Sequence, residues 1–376
     1  MVAVALAFAV IQIGGTASEV GLVLACGAFA LIASLLVGGV VADRVSRRSV
    51  MVAADVARLA SQGTMALLLI AGGAEVWMLA VLAAVTGAAG GFFQPASTGL
   101  VPALVEPEQI QRANGMRATA TSVGEIGGPI VAGVIVASAS AGWAVAADAG
   151  TYALSALLLV RLRVPRAAPR AASTFPRDLR DGWRAFSSRT WVWALVAGTA
   201  IANVAWGSMN ALGPVIAHRD LGGAPAWGAV LSAMGVGVLL GSLTATAARP
   251  RRPLVIYAVG TAVFALPLAM LAVRAPVALI AGAALLAGAS LALGNSVWES
   301  ALQRHIPADS LSRVSSYDWF ASFALQPVGL AVWGPIAAAV GFASALWAAV
   351  AILVATTAAL MAVPQIRRLP PGPEAG

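Results

Sequence analysis

The chain has 376 residues, of which 60% are hydrophobic and 10% are charged, and its mean hydropathy is +0.88. Soluble domains carry about 25% charged residues, so this composition excludes a soluble domain and predicts a polytopic membrane protein. The formal net charge of +8 does not indicate a nucleic-acid-binding protein, because the 23 basic residues are all arginines interleaved with apolar runs.

Apolar runs along the chain predict a half-span followed by eleven full spans. A full span needs about 20 apolar residues. Residues 1–13 are too few, so we interpret them as the second half of a helix whose start is missing. The predicted full spans are 17–42, 50–72, 76–101, 115–137, 141–162, 190–212, 225–247, 254–273, 276–301, 316–338 and 341–363.

The arginines predict the sidedness of these spans. Except for Arg58, Arg219 and Arg274, they fall in loops on one side of the membrane or at helix ends that face it. By the positive-inside rule, this side is cytoplasmic. The longest loop, 163–189, and the C-terminus are therefore predicted to be cytoplasmic in a multi-pass protein of the cell (plasma) membrane.

The same loop divides the chain into two predicted helix bundles. Residues 1–162 form an N-terminal bundle of helices 1 to 6, with helix 1 partial, and residues 190–376 form a C-terminal bundle of helices 7 to 12 with a short tail. The stretch 105–112 has a weak counterpart at 306–313. An internal repeat of this length predicts an all-α membrane protein whose two six-helix bundles are related by a pseudo-two-fold axis, as in many secondary transporters.

A basic turn lies between the first two full spans. It contains Gly39, Asp43, Arg44, Arg47 and Arg48. Asp43 can pair with these arginines or face the positive N-terminal end of a neighbouring helix. Because the counterpart at 249–252 has no acid, we predict that Asp43 latches the cytoplasmic side against helix 11, near Asp318. Asp318 opens its span, where a carboxylate also favours the helix N-terminus as a simple cap.

The span 115–137 carries a series of glycines with one proline. Its members are Gly115, Gly124, Gly128, Pro129 and Gly133. A four-residue spacing places small residues on one helix face, where another helix can approach closely. The proline removes a backbone hydrogen bond and bends the helix. Generic helix packing is the alternative, since glycine is common in membrane helices.

With these motifs, the chain resembles the major facilitator superfamily, in the branch that includes enterobactin-type siderophore exporters and macrolide efflux proteins. The turn from Gly39 to Arg48 resembles the family's signature between helices 2 and 3. The series from Gly115 to Gly133 resembles its antiporter signature on helix 5, with Ala132 in place of one glycine. The resemblance implies a proton-coupled exporter that works by alternating access on small amphipathic organic molecules, such as a drug, siderophore or metabolite. Many drug exporters of the family carry an arginine within helix 4; that arginine is absent here, so a mechanism depending on it does not carry over.

Ionisable residues inside membrane spans are costly and are functional candidates. Asp55 and Arg58 lie three residues apart on one helix face, either for proton coupling or as a structural ion pair. Glu125 and Asp148 are the other proton-coupling candidates, although Glu125 alternatively bridges to Arg117 or Arg58. As a hypothesis, protonation of Glu125 or Asp55 resets the outward-facing state.

The resemblance places helices 1, 4, 7 and 10 around a substrate cavity. The candidate contacts on these helices are Phe93, Gln94, Asn203, Trp206, Asn210, Asn295, Trp298 and Glu299. Aromatic surface with scattered amides suits a large, mostly apolar ligand with a few polar groups. Ordinary helix packing is the alternative for each of them, and Glu299 alternatively forms a gate or a structural pair with Arg304.

The sequence indicates neither a cofactor nor a metal site. Its two histidines, His218 and His305, are far apart, no phosphate-binding GxxxxGK[ST] loop occurs, and no nucleophile–base set suggests an enzyme. We expect a monomer whose partners are a small-molecule substrate, protons and the lipid bilayer, without nucleic acid. An importer of the same fold and a truncated, non-transporting membrane protein are the alternatives.

Overall fold

The computed structural model of the protein describes residues 1–104, 106, 109–162, 183–184, 186–247, 250, 252–306 and 308–369. Along these residues the regular elements are all helices, which confirms the predicted all-α fold. Most of the predicted loop 163–189 and the end of the tail lie outside the described residues. The predicted domain boundaries therefore stay a prediction.

Short turns join the helices of the first half. These helices are α1 (Val2–Gln12), α2 (Ala17–Arg44), α3 (Arg47–Ala71), α4 (Val76–Leu104), α5 (Ile110–Ser138) and α6 (Ala141–Arg161). Thr16 and Glu19 start α2 with a capping box, in which the Glu19 amide donates to Thr16 Oγ1 at 3.3 Å and the Thr16 amide donates to Glu19 Oε2 at 2.7 Å. Gly72 ends α3 in the left-handed region, at a φ of +73° that glycine adopts without steric cost.

Two spans of the second half are interrupted. Its helices are α7 (Thr190–Asp220), α8 (Ala224–Ala247), α9 (Pro253–Val263), α10 (Ala265–Ala272), α11 (Val277–His305), α12 (Ala308–Ala324), α13 (Gln326–Val340), α14 (Phe342–Ala362) and α15 (Pro364–Arg368). The predicted span 254–273 is broken at Phe264, and the predicted span 316–338 is broken at Leu325. Pro267 and Pro327 follow these breaks, and a proline removes the helical hydrogen bond to the carbonyl four residues earlier.

Ten helical stretches among the described residues are long and apolar enough to cross a membrane. They correspond to ten of the predicted full spans, with α9 and α10 acting as one stretch and α12 continuing into α13. The remaining predicted span, 50–72, lies in α3. That helix has 25 residues, but it carries charged and amide side chains in its middle, which lower its hydropathy.

The two halves repeat one packing scheme. In the first half α2 packs on α4 and α3 on α6; in the second half α8 packs on α11 and α10 on α14. The equivalent pairs also meet through glycine. A Cβ added at Gly87 of α4 would overlap the Gly27 carbonyl oxygen of α2, and one added at Gly288 of α11 would overlap the Met234 carbonyl oxygen of α8. This correspondence supports the predicted pseudo-two-fold relation.

The helix connections lie at two opposite ends of the protein. The short-turn end comprises residues 13–16, 72–75, 139–140, 221–223, 273–276 and 341. Among the described residues, the arginine-rich end comprises residues 45–46, 106, 109, 162, 183–184, 186–189, 250, 252 and 306, together with Arg47, Arg48, Arg161 and Arg304.

Two seams join the halves toward the short-turn end. In the first seam, between α2 and α13, a Cβ added at Gly21 would overlap the Leu330 carbonyl oxygen, and one at Gly334 would overlap the Ser18 backbone. In the second seam, α5 packs on α8, and Ser232 Oγ donates to the Ile126 carbonyl oxygen at 2.8 Å. Both seams depend on direct backbone contact, which small residues permit in membranes.

Toward the arginine-rich end, the described parts of the halves are separated. In the stretch 116–125 of α5, every described side chain except Ser122 is exposed. Because successive helical residues point around the whole helix, most of the surface of α5 over this stretch is uncovered, and α8 approaches it at its end, where the Glu125 carbonyl oxygen faces Gly235. Trp319 on α12 is likewise 62% exposed. The halves therefore enclose a cleft that is closed at the short-turn end and open at the arginine-rich end.

Replacing Gly87 by alanine tests the packing of α4 on α2. The added methyl group has no room against the Gly27 backbone, so we expect Gly87→Ala to destabilise the protein by about 1–3 kcal/mol, as overpacking does. Gly282→Ala is the matched control on α11, because nothing lies within 4 Å of the new Cβ and alanine favours a helix. Thermal unfolding of the purified variants in detergent gives the comparison, and equal unfolding midpoints would contradict the close approach.

Candidate functional site

A polar cluster lies between α3 and α6 in the first half. Its members are Asp55, Arg58 and Gln62 on α3, and Asp148, Tyr152 and Ser155 on α6. Spacings of three, four and seven residues place each set on one face of its helix. Because α3 and α6 pack against each other, the two polar faces meet inside the first half.

Asp55 is the most tightly held member of the polar cluster. Ser155 Oγ donates to Asp55 Oδ2 at 2.6 Å, and Arg58 Nη1 lies 3.5 Å from Asp55 Oδ1. The Asp55 side chain is only 1% exposed. The predicted pairing of Asp55 with Arg58 is therefore present, and removing one partner would leave a buried charge.

Arg58 extends from α3 toward α4. Its guanidinium carbon lies 4.7 Å from the centroid of the Phe93 ring and 5.3 Å from that of Tyr152, within the range of cation–π attraction. A Cβ added at Gly90 would lie 3.1 Å from Arg58 Nη2, so this glycine leaves room for the guanidinium. Arg58 also lines a cavity of about 290 Å³. Although α4 lacks an arginine, a guanidinium from α3 thus lies beside it, and Phe93 packs on that group.

Three members of the polar cluster have unmet hydrogen-bonding capacity. Among the described residues, the amide nitrogen and oxygen of Gln62, Oδ2 of Asp148 and Oδ1 of Asp55 are buried without a hydrogen-bond partner. Buried polar atoms are normally paired. Gln62 also lines the 290 Å³ cavity beside Arg58. The polar cluster can therefore accept a further proton, water or polar group.

The two acids of the polar cluster lie at different depths. α6 starts at the short-turn end, and Asp148 lies about two turns along it. α3 starts at the arginine-rich end, and Asp55 also lies about two turns along its helix. Tyr152 interacts electrostatically with both acids and with Arg58. The polar cluster thus extends between the two ends of the first half.

Glu125 lies outside the polar cluster. Its side chain on α5 is exposed, and so is that of Arg117. The backbone carbonyl of Glu125 faces α8, where a Cβ added at Gly235 would lie 3.2 Å from it. The structure therefore does not bring the candidate acids together into one group.

The glycine series of α5 contributes to the second seam through its later members. A Cβ added at Gly228 of α8 would lie 2.5 Å from the Pro129 carbonyl oxygen, and one at Gly133 would lie 2.7 Å from that of Ala224. Gly128 instead faces α1, and a Cβ at Gly124 would contact nothing within 4 Å. Gly115 lies at a position whose surroundings are not described. The predicted single small-residue face is thus divided among different neighbours.

The basic turn is tied to α6. Arg48 Nη2 donates to the Val160 carbonyl oxygen, and the Ser49 amide donates to Ser46 Oγ at 3.5 Å at the start of α3. The neighbouring Arg47 also interacts with another group of the protein. Three further turn residues were predicted to act in this loop. The surroundings of Gly39 and the side chains of Asp43 and Arg44 lie outside the described part of the structure. The latch between Asp43 and helix 11 stays a prediction.

A second candidate binding site is a cavity of about 430 Å³ in the second half, between α7, α9, α11 and α12. Its volume falls in the range of pockets for drug-sized ligands. Five of the predicted contact residues line it, namely Asn203, Trp206, Asn295, Trp298 and Glu299. Of the other predicted contacts, Asn210 donates to the Trp206 carbonyl at 3.4 Å, within its own helix, and exposed Gln94 lies on α4 in the first half.

Contacts among the cavity walls fix several of these side chains. Asn203 Nδ2 donates to the Ser322 carbonyl oxygen at 2.8 Å. The rings of Trp206 and Phe264 meet edge to face, with centroids 4.7 Å apart. The cavity is therefore bordered by groups that are held in place before any ligand enters.

Asp318 belongs to this cavity. α12 begins at Ala308, so the prediction that Asp318 opens and caps its helix is wrong. Instead, Trp298 Nε1 donates to Asp318 Oδ2 at 2.8 Å and Ser322 Oγ donates to Asp318 Oδ1 at 3.2 Å. The spacing of Ser315, Asp318 and Ser322 on one helix face is a sequence signal that indicates this placement.

The family model described as Major Facilitator Superfamily matches residues 1–330. The multidrug efflux pump Tap of Mycolicibacterium fortuitum is 26% identical over 354 residues, which are 90% of this chain and 85% of that protein. Macrolide efflux protein A of Enterococcus faecalis is 23% identical over 190 residues, which are 50% of this chain and 59% of that protein. The match thus spans little more than half the length of this macrolide efflux protein.

Among solved structures, a mutant form of the nucleoside transporter NupG is similar, with a TM-score of 0.80 and 13% sequence identity. The similarity covers 96% of this chain and 94% of that one. At such low identity the similarity shows a shared fold.

Breaking the buried ion pair between Asp55 and Arg58 is expected to lower the free energy of unfolding. Arg58→Gln leaves the Asp55 carboxylate buried without its cationic partner, so we expect a loss of about 3–5 kcal/mol, mostly recovered in the double variant Asp55→Asn/Arg58→Gln. Arg274→Gln is the matched control. Arg274 pairs with Asp220 at 2.6 Å but is 56% exposed, and such pairs contribute only about 0–1 kcal/mol. Thermal unfolding measures all three variants, and equal effects of the two single changes would contradict a buried pair.

Proposed function

The chain belongs to the Major Facilitator Superfamily, and we propose that it exports small amphipathic organic molecules in exchange for protons. The observation that carries this proposal is the 430 Å³ cavity, which combines aromatic walls with a few fixed polar groups. The efflux functions named for the relatives in Mycolicibacterium fortuitum and Enterococcus faecalis support the direction of transport.

The proposed transport cycle is a rocking of the two halves about their seams. We place the arginine-rich end in the cytoplasm by the positive-inside rule. The cavity is then reached from the cytoplasm while the seams close the opposite side. Separation of the seams, with closure of the arginine-rich end, would release the substrate outside the cell, as alternating access requires.

The polar cluster is the proposed proton site. With both acids ionised, Asp55 and Asp148 outweigh the single positive charge of Arg58 by one, and an unbalanced charge is costly inside a membrane. A proton on either acid makes the polar cluster neutral. Because the acids lie toward opposite ends, a proton taken up at Asp148 from outside can leave through Asp55 toward the cytoplasm. We therefore favour these acids over the exposed Glu125 as proton carriers.

Uptake into inside-out membrane vesicles tests the proposal. With the vesicle interior acidified, we expect vesicles containing the protein to accumulate radiolabelled erythromycin or chloramphenicol above the level in protein-free vesicles, which take up the weak base erythromycin passively. A protonophore should abolish this accumulation. Asp148→Asn and Asp55→Asn should each abolish gradient-driven accumulation, because the remaining acid is balanced by Arg58 and no proton is required. Exchange of labelled for unlabelled probe without a gradient should persist in both variants, which shows that they are folded.

Asp220→Asn is the matched control, since Asp220 lies at the short-turn end with an exposed ion-pair partner. It should transport as the unchanged protein does. Accumulation only in right-side-out vesicles would identify an importer, and transport of neither probe in either orientation would contradict transport of this substrate class. Full proton coupling in Asp148→Asn together with loss of coupling in Glu125→Gln would move the proton site to Glu125.

A further inference from the structure

The charge of the second-half cavity is one-sided. Glu299 and Asp318 both line it, and none of its described lining residues is basic. The two carboxyl groups also lie within electrostatic range of each other. A cavity with two acids and no balancing cation attracts a positively charged ligand and disfavours an anion.

The two acids differ in how they are held. Both oxygens of Asp318 already accept hydrogen bonds, from Trp298 and Ser322. Glu299 is exposed toward the cavity. Among the described residues, its carboxylate forms neither an ion pair nor a hydrogen bond. Glu299 is therefore the acid available to a ligand, and Asp318 is a fixed negative charge in the wall.

Aromatic rings surround these acids. Trp206, Tyr257, Phe264, Trp298, Trp319 and Phe323 line the cavity. The rings of Trp319 and Phe323 are stacked with centroids 5.2 Å apart on the helix that carries Asp318. Aromatic faces attract organic cations and also accommodate the apolar groups around the charge.

We propose that this cavity selects lipophilic organic cations, with Glu299 opposite the cationic centre and the aromatic rings around its apolar substituents. Asp318 adds negative potential and is a positioning residue, because its hydrogen bonds orient the Trp298 ring. The inference rests on the proposed function in that it names the substrate class of the same cavity. The cavity should therefore exclude organic anions of equal size and apolar surface.

Tetraphenylphosphonium and tetraphenylborate test this selection, because they have nearly the same shape and opposite charges. We expect purified protein in detergent to bind radiolabelled tetraphenylphosphonium saturably. Labelled tetraphenylborate, measured in a separate sample because the two ions form an insoluble salt, should bind at least tenfold more weakly, which corresponds to about 1.4 kcal/mol. Glu299→Gln should weaken binding about tenfold or more, as expected for the loss of a charge partner at low dielectric. Glu299→Asp should restore part of the affinity.

Two further variants distinguish the loss of a charge from a general loss of folded structure. Asp318→Asn keeps an oxygen that can accept the Trp298 hydrogen bond but removes the charge, so binding should weaken while the unfolding midpoint stays close to that of the unchanged protein. Glu125→Gln removes an exposed acid outside the cavity and should leave binding unchanged. Equal binding by the unchanged protein and Glu299→Gln, or binding of tetraphenylborate as tight as that of tetraphenylphosphonium, would overturn the proposal.

The outcomes distinguish this inference from the proposed function. Export of neutral chloramphenicol by a protein that does not bind tetraphenylphosphonium would leave the exporter standing and remove the cation site. Saturable, Glu299-dependent binding in a protein that transports neither antibiotic would keep the cation site and contradict the exporter.

Discussion

The direct contact of backbones at glycine holds the two halves together. Gly21 against Leu330 and Gly228 against Pro129 leave no room for a side chain. In a bilayer, apolar side chains gain little by leaving lipid for another helix, so association depends on close packing of this kind. Because the seams lie toward one end, the halves form a cleft that opens at the other. The access of the cavity and the proposed rocking both follow from this one-sided contact.

The two halves share a packing scheme but carry different chemistry. The first half buries an arginine with two acids between α3 and α6, whereas the second half has acids and aromatic rings around an open cavity. A change in the charge of the first half therefore need not involve the ligand directly. It can act through the seams, because the orientation of one half relative to the other determines which end is open. In the proposed cycle, this division would separate the proton site from the substrate site while keeping the two coupled.

Much of the fold was predictable because hydropathy reports lipid exposure directly. The span positions, the short turns at one end and the pairing of Asp55 with Arg58 follow from composition and helical spacing. The breaks at Phe264 and Leu325 were not predicted, although Pro267 and Pro327 mark them. Asp318 was misplaced because α12 starts well before the apolar run that locates a span. Gln62 lies four residues after Arg58 and seven after Asp55. It was not predicted as part of the site because it carries no charge, and its lack of a hydrogen-bond partner is visible only in three dimensions.

The distance between α5 and α8 at the arginine-rich end reports the rocking of the halves most directly. Spin labels on cysteines at Met116 and Thr244, both exposed positions, can be introduced after Cys26→Ser removes the native cysteine. Pulsed electron–electron double resonance then measures the separation of the two spin labels in lipid nanodiscs at acidic and alkaline pH. Rocking about the seams predicts two separations whose populations shift with pH, while a second label pair at Ser138 and Pro225, at the short-turn end, shifts in the opposite sense. A single separation of each label pair that does not change with pH would contradict rocking of the halves about the seams.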